Sequence, residues 1–275
     1  MAELKNLRCL DWTLSRNSSG TAGNFLKAYS EDAEGKWYWK LSNYAGNGEI
    51  VGHECLNEMI ADRLMEILEI PHLQYELFHA VITLDDLELT TYLVRSKDYK
   101  YASESKMALD QFYDANRGQD ETSWDFVKRM GWKYQFYDMF LLDYLILNRD
   151  RHGANIEVLF DRQKNTYRLS PIFDNGLSLM FSLSLTSDTE TLNAWDILAD
   201  RPVNNFVGSL RSTQKNLELL PAGYKSHQFV CSDQEKDYIF QDVREAMPEP
   251  FINRVWTMIT ERWKYYDDFQ SNRRK

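Results

Sequence analysis

Cysteine is scarce in this 275-residue sequence, and the cysteines present are far apart. Cys9, Cys55 and Cys231 are odd in number and include no C-x-x-C pair. This pattern argues against a disulfide framework and against a zinc site. It fits the reducing cytoplasm, and we expect the protein to be cytoplasmic.

Long apolar runs are also missing. The most apolar stretch, Met139–Leu147, is interrupted by Asp143 and is far too short to span a bilayer. The N-terminus lacks the charged-then-apolar pattern of a signal peptide. We therefore expect no membrane anchor.

Positive charge is in deficit, with 32 Lys and Arg against 42 Asp and Glu, and a formal net charge of −10. The carboxylates are scattered rather than gathered in one acidic block. The dense basic run, Arg273–Lys275, stands at the end of the sequence and is interpreted as a solvated tail. A chain of this charge is not expected to bind nucleic-acid phosphates directly.

Apolar residues, in contrast, are plentiful enough for a sizeable core, at 43% hydrophobic and 14% aromatic content. Residues 1–95 show patterns that predict a sheet around one helix. The predicted strands are Asn24–Tyr29, Lys36–Leu41, Tyr75–Thr83 and Leu87–Arg95, and the predicted helix is His53–Leu68. The polar stretch Ser30–Gly35 predicts a hairpin with a longer loop. A polar connector begins at Ser96, so we place a boundary between an N-lobe of residues 1–95 and a C-lobe of residues 96–275.

The second part is predicted to be mainly helical, with one strand hairpin. The predicted helices are Trp124–Met130, Tyr134–Leu147, Glu235–Met247 and Phe251–Tyr266, and the hairpin strands are Ile156–Phe160 and Thr166–Ile172. The polar segment Ser182–His227 has weak periodicity. We interpret it as loops with one short helix.

A charge-dense run, Asn148–Asn155, follows the most apolar helix, and the turn Asp174-Asn175-Gly176 follows the hairpin. Phosphoryl transfer requires one carboxylate that orients the attacking hydroxyl, and a second carboxylate with an amide oxygen that hold Mg²⁺. Asp150 suits the first task, and Asn155 and Asp174 suit the second. Each fragment alone has an ordinary explanation as a loop or a turn. Their order around a hairpin, whose two ends open at the same side, favours a shared site.

His152, inside the same run, has two interpretations. It contacts phosphate or substrate, or it is a neutral, hydrogen-bonded histidine that braces the loop. We favour the bracing role.

The motif D-x-H-x-x-N at Asp150–Asn155, followed by Asp174-Asn175-Gly176, resembles the HipA-like serine/threonine kinases, which share this loop with the phosphatidylinositol kinases. The resemblance includes Lys40 and Glu58 and extends to about residue 180. It implies an α+β, two-lobed protein-kinase-like fold. Such a fold has an N-lobe antiparallel sheet with one main helix and a mainly helical C-lobe with a catalytic β-hairpin. It also implies ATP and Mg²⁺ as cofactors and a protein substrate phosphorylated on Ser or Thr.

The resemblance also implies a role for each matching residue. Asp150 is the catalytic aspartate, Asn155 and Asp174 are metal ligands, and Lys40 binds the nucleotide phosphates. A carboxylate on the following helix orients Lys40; Glu54 and Glu58 both qualify because they lie four residues apart on one helix face, and we favour Glu58.

The small-residue stretch before the first strand pair suits a cover for phosphates, because its backbone N–H groups can approach closely. Its candidate residues are Ser18, Ser19, Gly20, Thr21 and Gly23. In HipA-like kinases the corresponding loop bears an autophosphorylated serine, which makes Ser18 and Ser19 candidates. From the architecture, we expect adenine near Leu93, Val94 and Arg95.

Many HipA-like kinases carry an additional small N-terminal subdomain, and because the candidate phosphate loop falls within residues 1–25 we expect none here. If such a subdomain matters here, a separate small regulatory protein supplies it, which admits a toxin–antitoxin arrangement. Two other activities share the motif: a phosphatidylinositol-type lipid kinase, and a catalytically inactive kinase fold used as a binding module. A metal-dependent phosphoesterase fits least, because the sequence lacks His-rich ligand pairs.

Overall fold

The computed structural model describes residues 3–13, 25–46, 48–208, 211–224 and 227–274. Within these ranges a sheet-based lobe precedes a mainly helical one. The elements of the first lobe are β1 (Lys5–Asn6), β2 (Lys27–Asp32), β3 (Gly35–Leu41), α1 (Glu54–Ile67), β4 (Tyr75–Leu84) and β5 (Leu87–Lys97). Those of the second are β6 (Glu104–Ala108), α2 (Leu109–Asn116), α3 (Ser123–Arg129), α4 (Lys133–Leu145), β7 (Asp150–Arg151), β8 (Glu157–Asp161), β9 (Thr166–Leu169), α5 (Thr189–Ala194), β10 (Asn204–Asn205), α6 (Thr213–Asn216), α7 (Asp233–Phe240) and α8 (Glu249–Asn272).

The sheet of the first lobe has the strand order β1-β4-β5-β3-β2. Its pairs are antiparallel except for the short parallel pairing of β1 with β4. Trp39 and Leu41 alternate along β3 and pack into a small core with Ile82 and Leu93. This period-2 alternation turns Lys40 to the opposite face of β3, toward the second lobe.

The prediction of a longer loop in the β2–β3 hairpin was wrong. β2 continues to Asp32, which pairs with Gly35 across the two residues Ala33 and Glu34. Gly35 has a φ of +125°, a conformation that glycine adopts without steric cost. The polar residues of this stretch belong to an edge strand rather than to a loop, and a solvated edge tolerates polar side chains.

Helix α1 has an apolar face and a buried polar face. Its bounds agree with the prediction, with His53 as N-cap and Leu68 as C-cap. The apolar face contacts β3, β4 and β5 in the main core, where each buried large apolar side chain contributes roughly 1.5–3 kcal/mol. The polar face carries Glu54, Asn57 and Glu58, all buried. Buried polar side chains on one helix face require polar partners. Glu54 finds its partner in the first lobe, Asn57 in the second, and Glu58 in both.

The second lobe is built around α4. Both α4 and α8 contribute fully buried apolar residues to the core that also contains the α1 side chains. The predicted strand hairpin is present as β8 and β9, and β6 extends it to a three-stranded sheet. Neither β6 nor α2 was predicted. The sequence of β6, Glu104–Ala108, has no apolar alternation.

Two further expectations concern the whole chain. The predicted lobe division between residues 95 and 96 falls inside β5 and stays a prediction. Among the described residues, no helix combines the length and the apolar character needed to cross a membrane.

Burial of His53 predicts a pH dependence of stability. The ring packs edge-on against Phe251 with centroids 5.2 Å apart, and burial lowers the pKa of His53 to about 4. In the unfolded chain the histidine binds a proton with a pKa of about 6.5. Above that pH His53 does not lower the free energy of unfolding, and as the pH falls from there toward 4 it lowers that free energy progressively. Between pH 7 and pH 5 this histidine should reduce the free energy of unfolding by about 2 kcal/mol.

Urea denaturation of wild type and His53→Leu across this range tests the prediction. The variant should show a shallower pH dependence than wild type. Equal slopes for the two proteins would contradict it.

Candidate active site

The charged run begins where α4 stops abruptly. The N–H of Asn148 donates to the carbonyl of Asp143 at 2.9 Å, and that of Leu147 donates to the carbonyl of Tyr144 at 3.3 Å. This pair of bonds is a Schellman motif, with Leu147 in the left-handed conformation at a φ of +50°. The sharp stop carries Asp150 out of the apolar core and into the cleft between the lobes.

Asp150 lines a cavity of about 550 Å³ together with Asn155 and Asp174. Its carboxylate is partly exposed, with 28% of the side chain accessible. The amide of Asn155 donates to the Asp150 carbonyl at 2.8 Å and to its Oδ2 at 3.3 Å. Asp150 is thus held by its neighbours and still open to the cavity, as a group that receives a proton from a substrate must be.

His152 lies against the loop that it was predicted to brace. Its Nδ1 accepts a hydrogen bond from the N–H of Ala154 at 3.1 Å, and its Nε2 lies 3.5 Å from Asp150 Oδ1. The hydrogen bond with Asp150 raises the pKa of His152 and outweighs partial burial. The ring also lines the cavity.

Lys40 forms the electrostatic centre of the cleft. Its Nζ lies 2.5 Å from Glu58 Oε1 and 2.5 Å from Asp174 Oδ1. Burial alone would lower the pKa of Lys40, but the Asp174 and Glu58 carboxylates outweigh it and raise that pKa well above its ordinary value. Burial likewise opposes ionisation of Asp174, yet the Lys40 ammonium lowers the pKa of Asp174 to about 2. Lys40 is therefore a cation and Asp174 an anion near neutral pH.

The two candidate carboxylates on α1 have different partners. Glu58 uses one oxygen for Lys40 and accepts the Asn175 N–H with the other at 2.8 Å. Glu54 instead accepts the N–H of Asn43 at 3.0 Å and lines the cavity beside Asp174. The structure therefore joins Glu58, and not Glu54, to Lys40.

Asn155 and Asp174 fit a magnesium ion. Asn155 Oδ1 is buried and has no hydrogen-bond partner among the described residues. An amide oxygen and a carboxylate are the hard oxygen donors that Mg²⁺ prefers, and substrate phosphates and water supply the remainder of its shell. In the described part of the chain, no group of three or more His, Cys, Asp or Glu could hold a metal, and a magnesium site of this kind does not need one.

A second, smaller cavity of about 120 Å³ adjoins Lys40 and Asp174. It extends to the end of β5, where Ser96, Lys97 and Tyr99 line it. None of Leu93, Val94 and Arg95, the residues expected near adenine, lines this cavity. Val94 is paired with Lys40 on one side and Leu77 on the other.

The side chain of Arg95 also turns away from the cleft. Its guanidinium lies 3.9 Å from the Trp37 ring centroid. A central strand uses its backbone groups in the sheet, so the connector reaches the cavity only after β5 ends.

The small-residue stretch lies outside the described residues, and with it Ser18, Ser19, Gly20, Thr21 and Gly23. The chain is described again from Phe25, which lines the larger cavity, and Lys27, which lines the smaller one. Both cavities are thus bordered by residues that directly follow the stretch.

Arg151 was not predicted as a site residue, yet it joins the two halves of the site. The residue is 4% exposed, and its guanidinium pairs with Asp143 of α4, with Nη2 2.9 Å from Oδ1. It also donates to the Phe173 carbonyl at 2.7 Å and to Asn175 Oδ1 at 2.6 Å. Asp143, which interrupts an apolar helix, was the sequence signal for this buried pair.

Asn57 was also missed. Its amide donates to the carbonyls of Gly176 and Ser178, each at 3.0 Å, and so joins α1 to the turn that follows Asp174. The available sequence signal was the position of Asn57 among the apolar residues of α1, where a polar side chain needs a polar partner.

A sheet-based lobe with one main helix, followed by a mainly helical lobe, is the arrangement of a protein-kinase-like fold. The lysine–glutamate pair lies in the first lobe, and the Asp150 loop and the Asp174 turn lie in the second. Among solved structures, the chain is similar to the Helicobacter pylori proinflammatory kinase CtkA, with a TM-score of 0.67 and 16% identity over 98% of this chain and 97% of that one. It is also similar to a chain of the Shewanella oneidensis MR-1 toxin–antitoxin complex of HipA, HipB and operator DNA. There the TM-score is 0.51 and the identity 12%, over 95% of this chain and 68% of that one.

The predicted two-lobed α+β kinase-like fold of the HipA type is thereby confirmed. No family model matches the sequence, and no curated protein does.

The Asp143–Arg151 pair predicts a large loss of stability when one partner alone is removed. Arg151→Met leaves a buried carboxylate without its cation, and we expect the free energy of unfolding to fall by about 3–5 kcal/mol. The double variant Asp143→Leu/Arg151→Met removes both charges and should recover part of that loss.

Urea denaturation measures these effects. As a matched control, Arg244→Met breaks solvent-exposed pairs with Asp237 and Glu249 and should cost at most about 1 kcal/mol. A cost for Arg151→Met no greater than that of the control would contradict the interpretation.

Proposed function

We propose that this protein is an ATP- and Mg²⁺-dependent phosphotransferase, and that it acts as a HipA-like kinase on serine or threonine hydroxyls of a protein substrate. The observation that carries the proposal is the contact of Lys40 with both Glu58 and Asp174 beside a cavity lined by Asp150 and Asn155. A buried cation held between two carboxylates, next to a free amide oxygen, suits a nucleotide triphosphate with its metal.

Each of these side chains takes a separate task in the proposed reaction. Lys40 binds the phosphates, and Glu58 fixes the lysine. Asn155 and Asp174 would hold Mg²⁺, which when bound neutralises charge on the phosphates. The smaller cavity, which begins at Lys40 and ends at the connector, has the position of a base compartment.

Asp150 accepts the proton of the acceptor hydroxyl. As the acceptor oxygen forms its bond to the γ-phosphorus, the bond from that phosphorus to the β–γ bridging oxygen breaks, and ADP leaves with those electrons. The partly exposed carboxylate on the cavity wall supports this role.

Likeness to a protein named as a kinase and to a toxin–antitoxin chain supports two further proposals. One is that the kinase is the toxin of such a system. The other is that a small regulatory protein binds it. Purification of the native protein from its source without a bound partner would contradict the second.

Substitution of the two aspartates tests the activity. Asp150→Asn should reduce phosphate transfer by about 10²–10⁴-fold and leave nucleotide binding intact, because it removes only the proton acceptor. Asp174→Asn should abolish the stabilisation of the fold by MgATP, because it removes a metal ligand. The measurements are transfer from labelled ATP and thermal denaturation with and without MgATP.

Asp120→Asn is the matched control, since Asp120 is exposed and distant in sequence from both motifs. It should behave as wild type. The proposal fails if wild type shows neither transfer nor stabilisation by MgATP.

Ser18 and Ser19 are proposed as autophosphorylation sites that switch the enzyme off. After incubation of wild type with MgATP, mass spectrometry should find phosphate on one of them, and Asp150→Asn should stay unmodified. An active enzyme with both serines unmodified would count against the switch.

A further inference from the structure

A segment that the sequence left as loops is attached to the catalytic loop by backbone pairing. β10 (Asn204–Asn205) runs parallel to β7 (Asp150–Arg151), with Asn204 opposite Asp150. The N–H of Asn204 donates to the Arg149 carbonyl at 3.2 Å, and that of Phe206 donates to the Arg151 carbonyl at 2.9 Å. These two bonds enclose Asp150 and fix the register of the pairing.

This register puts a second amide on the Asp150 carboxylate. Asn204 Nδ2 donates to Asp150 Oδ1 at 3.3 Å, whereas Asn155 Nδ2 donates to Oδ2 at the same distance. His152 Nε2 also lies 3.5 Å from Oδ1. With an amide donor on each oxygen, the plane of the carboxylate is held more firmly than by the histidine alone, and a carboxylate held in one plane loses less freedom when it meets a hydroxyl.

The Asn204 side chain, unlike its backbone, has no evident task apart from this contact. Its side chain is exposed, and Asp150 Oδ1 is the hydrogen-bond partner that the structure gives its amide. Its neighbour Asn205 differs, because it is buried and donates to the Arg211 carbonyl at 3.0 Å. Asn205 holds the segment together, and Asn204 faces the site.

We propose that Asn204 is a positioning residue for phosphoryl transfer, and that its amide holds the Asp150 carboxylate in the orientation that receives the acceptor proton. The inference rests on the proposed function. It assigns part of the site to the segment after the metal-binding turn, which also supplies Leu177, Phe181 and Ser182 to the cavity wall.

Steady-state kinetics of Asn204 variants test the role. Asn204→Ala should lower kcat by about 10–100-fold, because the base loses its orientation. The KM for ATP should change by no more than about twofold, since the nucleotide contacts stay in place. Thermal stability should match wild type because the side chain is exposed.

Two more substitutions separate positioning from structure. Asn204→Thr keeps a donor and should recover part of the lost kcat. Asn204→Asp has the same shape, has no donor and places a like charge beside Asp150, so its kcat should be no higher than that of Asn204→Ala. Asn193→Ala, an exposed asparagine on α5 of the same segment, should retain wild-type kinetics.

The outcomes distinguish this inference from the proposed function. An active wild type with unchanged kcat in Asn204→Ala would overturn the inference alone. So would a loss of kcat that comes with an equal loss of thermal stability and no recovery in Asn204→Thr. An inactive wild type that does not bind MgATP would overturn the proposed function, and this inference with it.

Discussion

The buried ammonium of Lys40 joins the two lobes. It contacts Glu58 on the helix of the first lobe and Asp174 on the turn of the second, and Glu58 also accepts the N–H of Asn175. Without that cation two carboxylates would face each other in a site with little water, at a cost of several kcal/mol. The Lys40 charge therefore helps to fix the relative position of α1, β3 and the turn, together with the hydrogen bonds of Asn57 to the carbonyls of Gly176 and Ser178. The same charge is the one that nucleotide phosphates would meet.

Much of the fold could be predicted because its strongest elements follow simple periodicities. The bounds of α1 agree with its apolar spacing and with the residues that cap it. The strands β4, β5, β8 and β9 follow runs of β-branched and aromatic residues between turn signals. β10, two residues long, could not be found in this way, because it depends on pairing with a loop more than fifty positions earlier.

In the candidate site too, residues that stand in local sequence motifs could be predicted, and residues placed by tertiary packing could not. Asp150, Asn155 and Asp174 stand in local motifs, and the structure brings all three to one cavity. Asn204 carries no local signal, because its partner comes from another element and only tertiary packing selects it. For Arg151 the signal was indirect, since Asp143 in the apolar helix indicates a buried partner without telling which residue it is. A strand pattern also does not tell which residue is the last to pair, so the end of β5 could not be located from the sequence, and the expectation of adenine near Val94 stays a prediction.

A crystal structure of the protein with Mg²⁺ and a non-hydrolysable ATP analogue would test the central claim most directly. The account predicts a phosphate oxygen within hydrogen-bond distance of Lys40 Nζ. It also predicts a magnesium ion coordinated by Asn155 Oδ1 and the Asp174 carboxylate, and a γ-phosphate facing Asp150. A nucleotide bound elsewhere, or a metal that contacts neither Asn155 nor Asp174, would contradict it.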